Sequence, residues 1–344
     1  MEENGSADNR PIVVMESAQA LRPTTNPYIV QLVRSLCSEP GIEVELFSFG
    51  RAIFGHFDVF HVHWPETLIT ANNPVKRWRR RVLTLLFALR LLLFRKPVVR
   101  TWHNLDRPEG LSRFDYFLLD LFDRATTLRI ILNPLSELPD DKAAALIPHG
   151  HYRDWYRAEP SDEAIAGRVG YVGLIRRYKG VETLLQAFRG LADERASLHV
   201  AGKPSNPELI QQLTDLAADD PRISFDLHFL DDEEFTANIR RSSIVALPYH
   251  HMHNSGTVLA VLSLDRPALV PDNPMNRSLA TEVGGGWLYY FEGELTTEAL
   301  SEALQAVTQT PPQGRPNLDA RGWPESGRAH ADAFRRAISL RRAG

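Results

Sequence analysis

Short apolar runs alternate with stretches of helical period along most of this chain, and that rhythm constrains its fold more than any other feature. In the first half the strand candidates are Ile12–Met15, Val44–Phe49, Val59–Val62, Val98–Trp102 and Arg129–Leu132. Helical stretches lie between them near Tyr28–Leu36, Val82–Phe94 and Phe114–Phe122. The second half repeats the pattern. Strands are expected at Val169–Val172, Ser197–Ala201, Ile223–Phe225, Ile244–Leu247 and Ala268–Val270, and helices at Glu182–Leu191, Glu208–Ala217, Asp232–Arg240 and Thr257–Leu264. Alternation of this kind predicts an α/β protein with a parallel sheet in each half and helices on both faces. With 344 residues the chain suits two domains, 1–150 and 151–322, joined near Pro148–Glu159. Pro311–Pro316 reads as a second linker, and Trp323–Arg342 as a terminal helix that ends in a basic cluster.

A hydrophobic content of 43% and a net charge of −4 are those of a globular protein with no global case for nucleic-acid binding. The single cysteine, Cys37, excludes an internal disulfide and any metal site built on several thiolates, and fits a reducing, cytoplasmic compartment. The polar, acidic start does not have the form of a signal peptide. One segment departs from the average. Residues 76–96 carry eight Lys/Arg and no acid, around the apolar body Val82–Phe94. That body falls short of the ~20 residues a membrane span needs. A helix with basic ends and an apolar middle suits an anionic membrane surface, and also suits an ordinary buried helix with a basic collar.

In open parallel sheets, ligands bind at the carboxyl ends of the strands. Two loops there are competent for anions. Gly173 to Gly180 runs from a strand through Arg176, Arg177 and Lys179 into a helix with apolar residues at Val181, Leu184, Leu185 and Phe188. The second, after Leu247, carries Asn254, Ser255 and Gly256 before a helix start at Thr257. Cations and N–H groups at helix starts suit a phosphate or diphosphate. In the first half, Glu16, His63, Glu66, His103 and Asp106 fall at or just past strand ends, whereas His61 lies inside its strand. His250, His251 and His253 are adjacent enough to suggest a metal, but no carboxylate neighbours them, so no metal is expected. No P-loop, G-x-G-x-x-G after a strand, nucleophile elbow or Asp-x-Asp pair occurs.

The motifs Thr25–Tyr28, His63–Glu66, Arg100–Asn104, His149–Trp155, Gly173–Gly180 and Met252–Thr257 follow one another in the order found in a known family. The chain resembles the GT-B glycosyltransferases, and among them the mannosyltransferases of xanthan-type exopolysaccharide assembly, from about Ile12 to Trp323. The resemblance implies two facing Rossmann-like domains, the second holding the sugar nucleotide, and a C-terminal crossover helix, 323–344, returning to the first. It implies transfer of mannose from GDP-mannose to a polyprenyl-diphosphate-linked oligosaccharide with a β-1,4 linkage, peripherally at the inner face of the plasma membrane, with no metal or other cofactor. The helix at 76–96 would then face an anionic lipid surface.

Two features depart from the retaining members of that fold. Their paired glutamates are replaced by Met252 and Ala260, and Leu174 follows the loop glycine where they carry arginine. Inversion needs a base, for which Glu66 is the first choice, oriented by His63, with Glu16 and Asp106 as rivals. It also needs charge at the departing diphosphate, assigned to Arg176 and Lys179 with Asn254, Ser255 and Thr257. His103 is assigned to the donor sugar or phosphate. Two other readings remain at this point: a sugar-nucleotide epimerase on the same fold, and a non-catalytic GDP-sugar binder.

Overall fold

The computed structural model describes residues 10–103, 107–138, 141–156, 163–250 and 252–343. The chain divides into two compact units, residues 1–150 with 320–344 and residues 151–319. Asp106 and His251 lie outside the described residues.

The first unit opens with β1 (Ile12–Glu16), α1 (Pro27–Cys37), β2 (Ile42–Leu46), α2 (Phe49–Phe54) and β3 (Val59–Val62). It continues through α3 (Glu66–Ile69), α4 (Pro74–Leu93), β4 (Val98–Trp102), α5 (Arg113–Ala125), β5 (Leu128–Ile131) and β6 (Ala143–Leu146). The strands pair in parallel in the order β2-β1-β3-β4-β5-β6. Strand alternation puts Phe60 and Val62 on one face, where they join Phe87 of α4 and Phe122 of α5 in the buried core. His61 and His63 take the other face.

Several boundaries differ from those expected. The strand predicted over Val44–Phe49 stops at Leu46, because the Ser48 side chain accepts the Arg51 N–H and starts α2 at Phe49. The helix predicted from Val82 begins at Pro74, where the Asn73 side chain accepts from the Val75 and Lys76 N–H groups and proline fits the first turn. The edge strand β6 is a run of alanines without the β-branched residues that mark strands, so pattern alone missed it.

The second unit contains β7 (Arg168–Val172), α6 (Val181–Arg189), β8 (Ser197–Ala201), α7 (Pro207–Ala217), β9 (Ile223–Asp226), α8 (Asp232–Arg240) and β10 (Ile244–Ala246). It closes with α9 (Gly256–Ser263), β11 (Ala268–Pro271), α10 (Pro274–Val283), β12 (Leu288–Phe291) and α11 (Thr297–Gln309), after which α12 (Trp323–Ala343) returns to the first unit. Its sheet is again parallel, in the order β12-β11-β10-β7-β8-β9. On α6 the predicted apolar face is buried: Val181, Leu184, Leu185 and Phe188 have 0% exposure. Each such side chain contributes roughly 1.5–3 kcal/mol of burial. In the first unit α12 packs on α1 and on β3, β4 and β5, so it covers the histidine-bearing face of that sheet.

Strand order names the ligand crevice of each sheet. In the second unit the order reverses between β7 and β10, and in the first between β1 and β3. Ligands of open α/β sheets bind outside the carboxyl ends of the strands at such a reversal. The loops there are the ones that carry the anion-competent and the titratable residues.

Candidate active site

In the second unit the loops after β7 and β10 are joined into one surface. The His250 N–H donates to the Tyr178 carbonyl at 3.1 Å. Gly180 sits at φ 64°, and a Cβ there would lie 2.1 Å from the Pro248 carbonyl oxygen, so only glycine allows this approach. The Lys179 ammonium stands 5.0 Å from the centre of the Tyr249 ring, and the Tyr249 hydroxyl is 3.4 Å from Thr257 Oγ1. Ser255 caps α9 by accepting the Val258 N–H, leaving the N–H groups of the first turn of the helix facing the loop end. The structure therefore brings Lys179, Tyr249, Ser255, Gly256 and Thr257 together, with Asn254 half-buried in the same loop.

Charge is distributed unevenly among the loop cations. Burial pushes the Lys179 ammonium down, with Tyr178 opposing and Arg176 adding to it. No carboxylate pairs with Lys179 among the described residues. The Arg176 guanidinium turns back to the Ile175 carbonyl at 2.9 Å, and Arg177 donates to Gln212 at 3.1 Å. Gly173, at φ 125°, leaves the space that the Lys179 ammonium borders, 4.0 Å from where its Cβ would be. Tyr249 was not singled out from sequence, although it lies within the loop that was. Burial pushes its phenol up to about 12, so it stays neutral and donates towards Thr257.

In the first unit a buried network runs from the sheet to a cavity. His61 Nδ1 is 2.6 Å from Glu16 Oε1, and His61 Nε2 is 2.8 Å from Thr101 Oγ1. The other Glu16 oxygen faces His63 Nε2 across 3.4 Å, a longer contact. His63 Nδ1 lies 3.0 Å from His103 Nε2, and the His103 ring stacks on Trp64 at 4.2 Å. An ionised Glu16 can only accept, so the N–H groups of His61 Nδ1 and His63 Nε2 point at it. His63 Nδ1 is then the acceptor for the His103 Nε2 proton. Tyr28 packs edge-on to His63 and His103 and against His149.

The pKa values follow from this burial. Desolvation alone would raise Glu16, but His61 and His63 outweigh it and hold the carboxyl at about 2. Desolvation, then His61, push His63 down to about 4, with Glu16 opposing. Burial takes His149 to about 4 and His330 of α12 to about 3, and it takes His103 well below the ordinary range. A group whose folded pKa is depressed stabilises the fold above its unfolded pKa and loses that contribution as pH falls. The first unit is therefore expected to lose stability as pH drops from about 6.5 towards 4, where unfolded histidines bind protons that the folded ones refuse. Circular dichroism melts across that window check this; a midpoint unchanged between pH 7 and 5 would contradict the burial of His63, His103, His149 and His330 as neutral imidazoles.

Glu66 does not stand in a loop, as the sequence suggested. It is the first residue of α3, directly after Pro65, and lines a cavity with His63, Trp64, Arg100, Trp102 and His103. Burial pushes its carboxyl up, opposed by its own backbone N–H and by Arg100. Arg100 is balanced by Asp123, which also takes Arg107 at 2.6 Å, so Glu66 keeps no committed ion-pair partner among the described residues. Glu16, by contrast, has 0% exposure and is bound to His61, which leaves no surface for an acceptor hydroxyl. Glu16, His61 and His63 also place ligand atoms within 4.8 Å of one another, the one grouping of metal-ligand type among the described residues. Their short hydrogen bond and full burial are those of an orienting network.

Residues 166–309, which hold both anion loops, match the family described as glycosyl transferases group 1. The GDP-mannose:glycolipid 4-beta-D-mannosyltransferase of Xanthomonas campestris pv. campestris is 35% identical over 327 residues, covering 95% of this chain and 93% of that protein. The chain is a group 1 glycosyltransferase. Among solved structures, Anabaena HepE in complex with UDP and glucose matches the transferase with a TM-score of 0.60 at 16% identity, covering 96% of this chain and 98% of that one. AviGT4, a glycosyltransferase involved in avilamycin A biosynthesis, matches at 0.59 with 14% identity, over 96% and 98% of the two chains. These likenesses show the fold, which is GT-B with two six-stranded parallel sheets.

Proposed function

We propose that this transferase moves mannose from GDP-mannose to a polyprenyl-diphosphate-linked oligosaccharide, with inversion and a β-1,4 linkage, as a step of exopolysaccharide assembly. The choice of donor and glycolipid acceptor follows the Xanthomonas relative. The single observation that carries the reaction type is Lys179, a half-buried cation with no carboxylate partner among the described residues, set between two joined loops at a sheet's switch point. A diphosphate supplies the charge that this arrangement lacks. Lys179 and the N–H groups that open α9 take the developing charge on GDP, with Arg176, Asn254, Ser255 and Thr257 around them; Gly180 lets the chain pass closely, and Gly173 takes a positive φ that leaves the space beside Lys179 open. No metal is required in this scheme.

In the first unit Glu66 is the base for the acceptor hydroxyl. Its raised pKa brings it nearer to the working pH of a general base, and the Glu16–His61–His63 network fixes the imidazoles beside it. His103 is neutral and gives its Nε2 proton to His63, so towards a ligand its Nδ1 can only accept, which suits a sugar hydroxyl rather than a phosphate oxygen.

The acceptor's lipid anchor calls for a membrane-facing surface, and α4 offers one. Val75, Trp78, Val82, Leu86, Leu89 and Leu93 recur at spacings of three and four, and all are exposed. No helix among the described residues is long and apolar enough to cross a membrane. We place the enzyme peripherally on the inner face of the plasma membrane, with this stripe in the interface. The cations contribute less than the sequence suggested. Arg81 is spent on Asp115, and Arg77, Arg80, Arg90 and Lys96 donate to backbone carbonyls, leaving Lys76, Arg79 and Arg95 for lipid.

Transfer itself is the test. GDP-mannose and a short-chain lipid-linked acceptor are expected to give a mannosylated lipid and GDP. A new sugar nucleotide formed from donor alone, or no turnover with tight GDP binding, would overturn the proposal.

A further inference from the structure

The basic end of α12 has no part in the transfer chemistry, yet it borders a cavity of about 530 Å³ at the opposite end of the sheet from the active-site loops. The walls are the start of β1, the residues leading into β4 and the last turns of α12. Five cations line it, Arg10, Arg95, Lys96, Arg341 and Arg342, against one carboxylate, Asp58. Asp58 is already committed to Arg10 at 3.0 Å and to the Val13 N–H at 3.0 Å. Arg341 Nε donates to the Arg95 carbonyl at 3.2 Å, and no carboxylate pairs with Arg95, Arg341 or Arg342 among the described residues.

We propose that this cavity binds the phosphate group of an anionic lipid. Three observations support the assignment. Like charges are held close together with Asp58 as the one carboxylate on the lining: burial and then Arg95 push Arg341 down, and burial and then Arg90 push Lys96 down, with Asp58 opposing. Such crowding is unfavourable until an anion enters. The end of α4 closes on Arg95 at φ 50°, with the Arg95 and Lys96 N–H groups donating to the Leu92 and Leu91 carbonyls, so a fixed backbone turn holds both residues at the cavity. The mouth of the cavity is apolar on one side, with Phe94 lining it at 70% exposure and Leu93 next in the chain at 77%. Leu93 ends the exposed stripe of α4, so a chain lying along that stripe could place its headgroup in the cavity. A free phosphate has the charge but no use for the apolar rim. The site is separate from the donor and acceptor phosphates, whose groups belong to the carboxyl ends of the strands, and it rests on the reading of α4 as a lipid-facing helix.

The experiment is co-sedimentation of the full chain with phosphatidylglycerol-containing vesicles and with pure phosphatidylcholine vesicles. Arg341→Ala/Arg342→Ala is expected to weaken partition to the anionic vesicles about 10- to 30-fold. It should leave the weak binding to phosphatidylcholine, the melting temperature and transfer to a water-soluble acceptor unchanged. Trp78→Ala should weaken binding to both vesicle types. If the double variant binds anionic vesicles as the wild type does while Trp78→Ala does not, the cavity proposal fails and the reading of α4 stands. If the wild type binds neither vesicle, both fail. If inorganic phosphate raises the melting temperature of the wild type but not of the double variant, and vesicles are not bound, the cavity is a free-anion site and the lipid assignment is wrong.

Discussion

Glu66→Gln is expected to lower the transfer rate about a thousandfold while leaving the affinity for GDP unchanged. The amide fills the same volume at the start of α3 and keeps a hydrogen-bonding oxygen, but it cannot take a proton. The cavity around it is otherwise intact, since Trp64, Arg100 and His103 are held by contacts that do not pass through the Glu66 carboxylate. GDP affinity is unaffected because the diphosphate residues belong to the other unit's loops. Single-turnover kinetics measure the rate and calorimetry the affinity. Near-normal turnover would remove Glu66 as the base, and a parallel loss of GDP affinity would assign it to the donor instead.

Lys179→Ala should act on the other half of the reaction. A hydrogen bond to a charged group contributes about 1.5–3 kcal/mol, so GDP-mannose affinity is expected to fall about 10- to 100-fold. The loss should be specific to the diphosphate, because the fold around position 179 is carried by the buried face of α6 and by the close approach of Gly180 to Pro248 rather than by the lysine. The alanine variant also leaves the Tyr249–Thr257 contact in place. Calorimetry with GDP-mannose and with mannose alone separates the two effects. Unchanged donor affinity would leave the paired loops without their principal cation and would refute the diphosphate clamp.

Much of this was legible in the sequence because it depends on local pattern. Strands rich in valine and isoleucine, helices with an apolar stripe, and loops that pass from glycine through cations into a helix announce themselves within twenty residues or so. The face of His61 and His63 followed from strand alternation alone. What pattern could not show is which loops meet. That β7 and β10 are neighbours is a property of strand order, and it alone puts Lys179 over Tyr249. Nor could spacing distinguish the three acids near the first sheet's strand ends. Glu16 and Glu66 differ in burial and partners, and only tertiary contact buries one among histidines and leaves the other on a cavity as the proposed base. The segment at 76–96 reads as a helix with basic ends and an apolar body, whereas in three dimensions half of its cations turn inwards and the exposed feature is an apolar stripe.

In the proposed reaction, Glu66 and the diphosphate loops carry out a single displacement on α-linked GDP-mannose. The anomeric configuration of the transferred mannose tests that most directly, read from the one-bond carbon–hydrogen coupling at C1 of the isolated product. A β-mannoside is predicted. An α-mannoside would mean retention of configuration, and would contradict both the inverting scheme and the role given to Glu66.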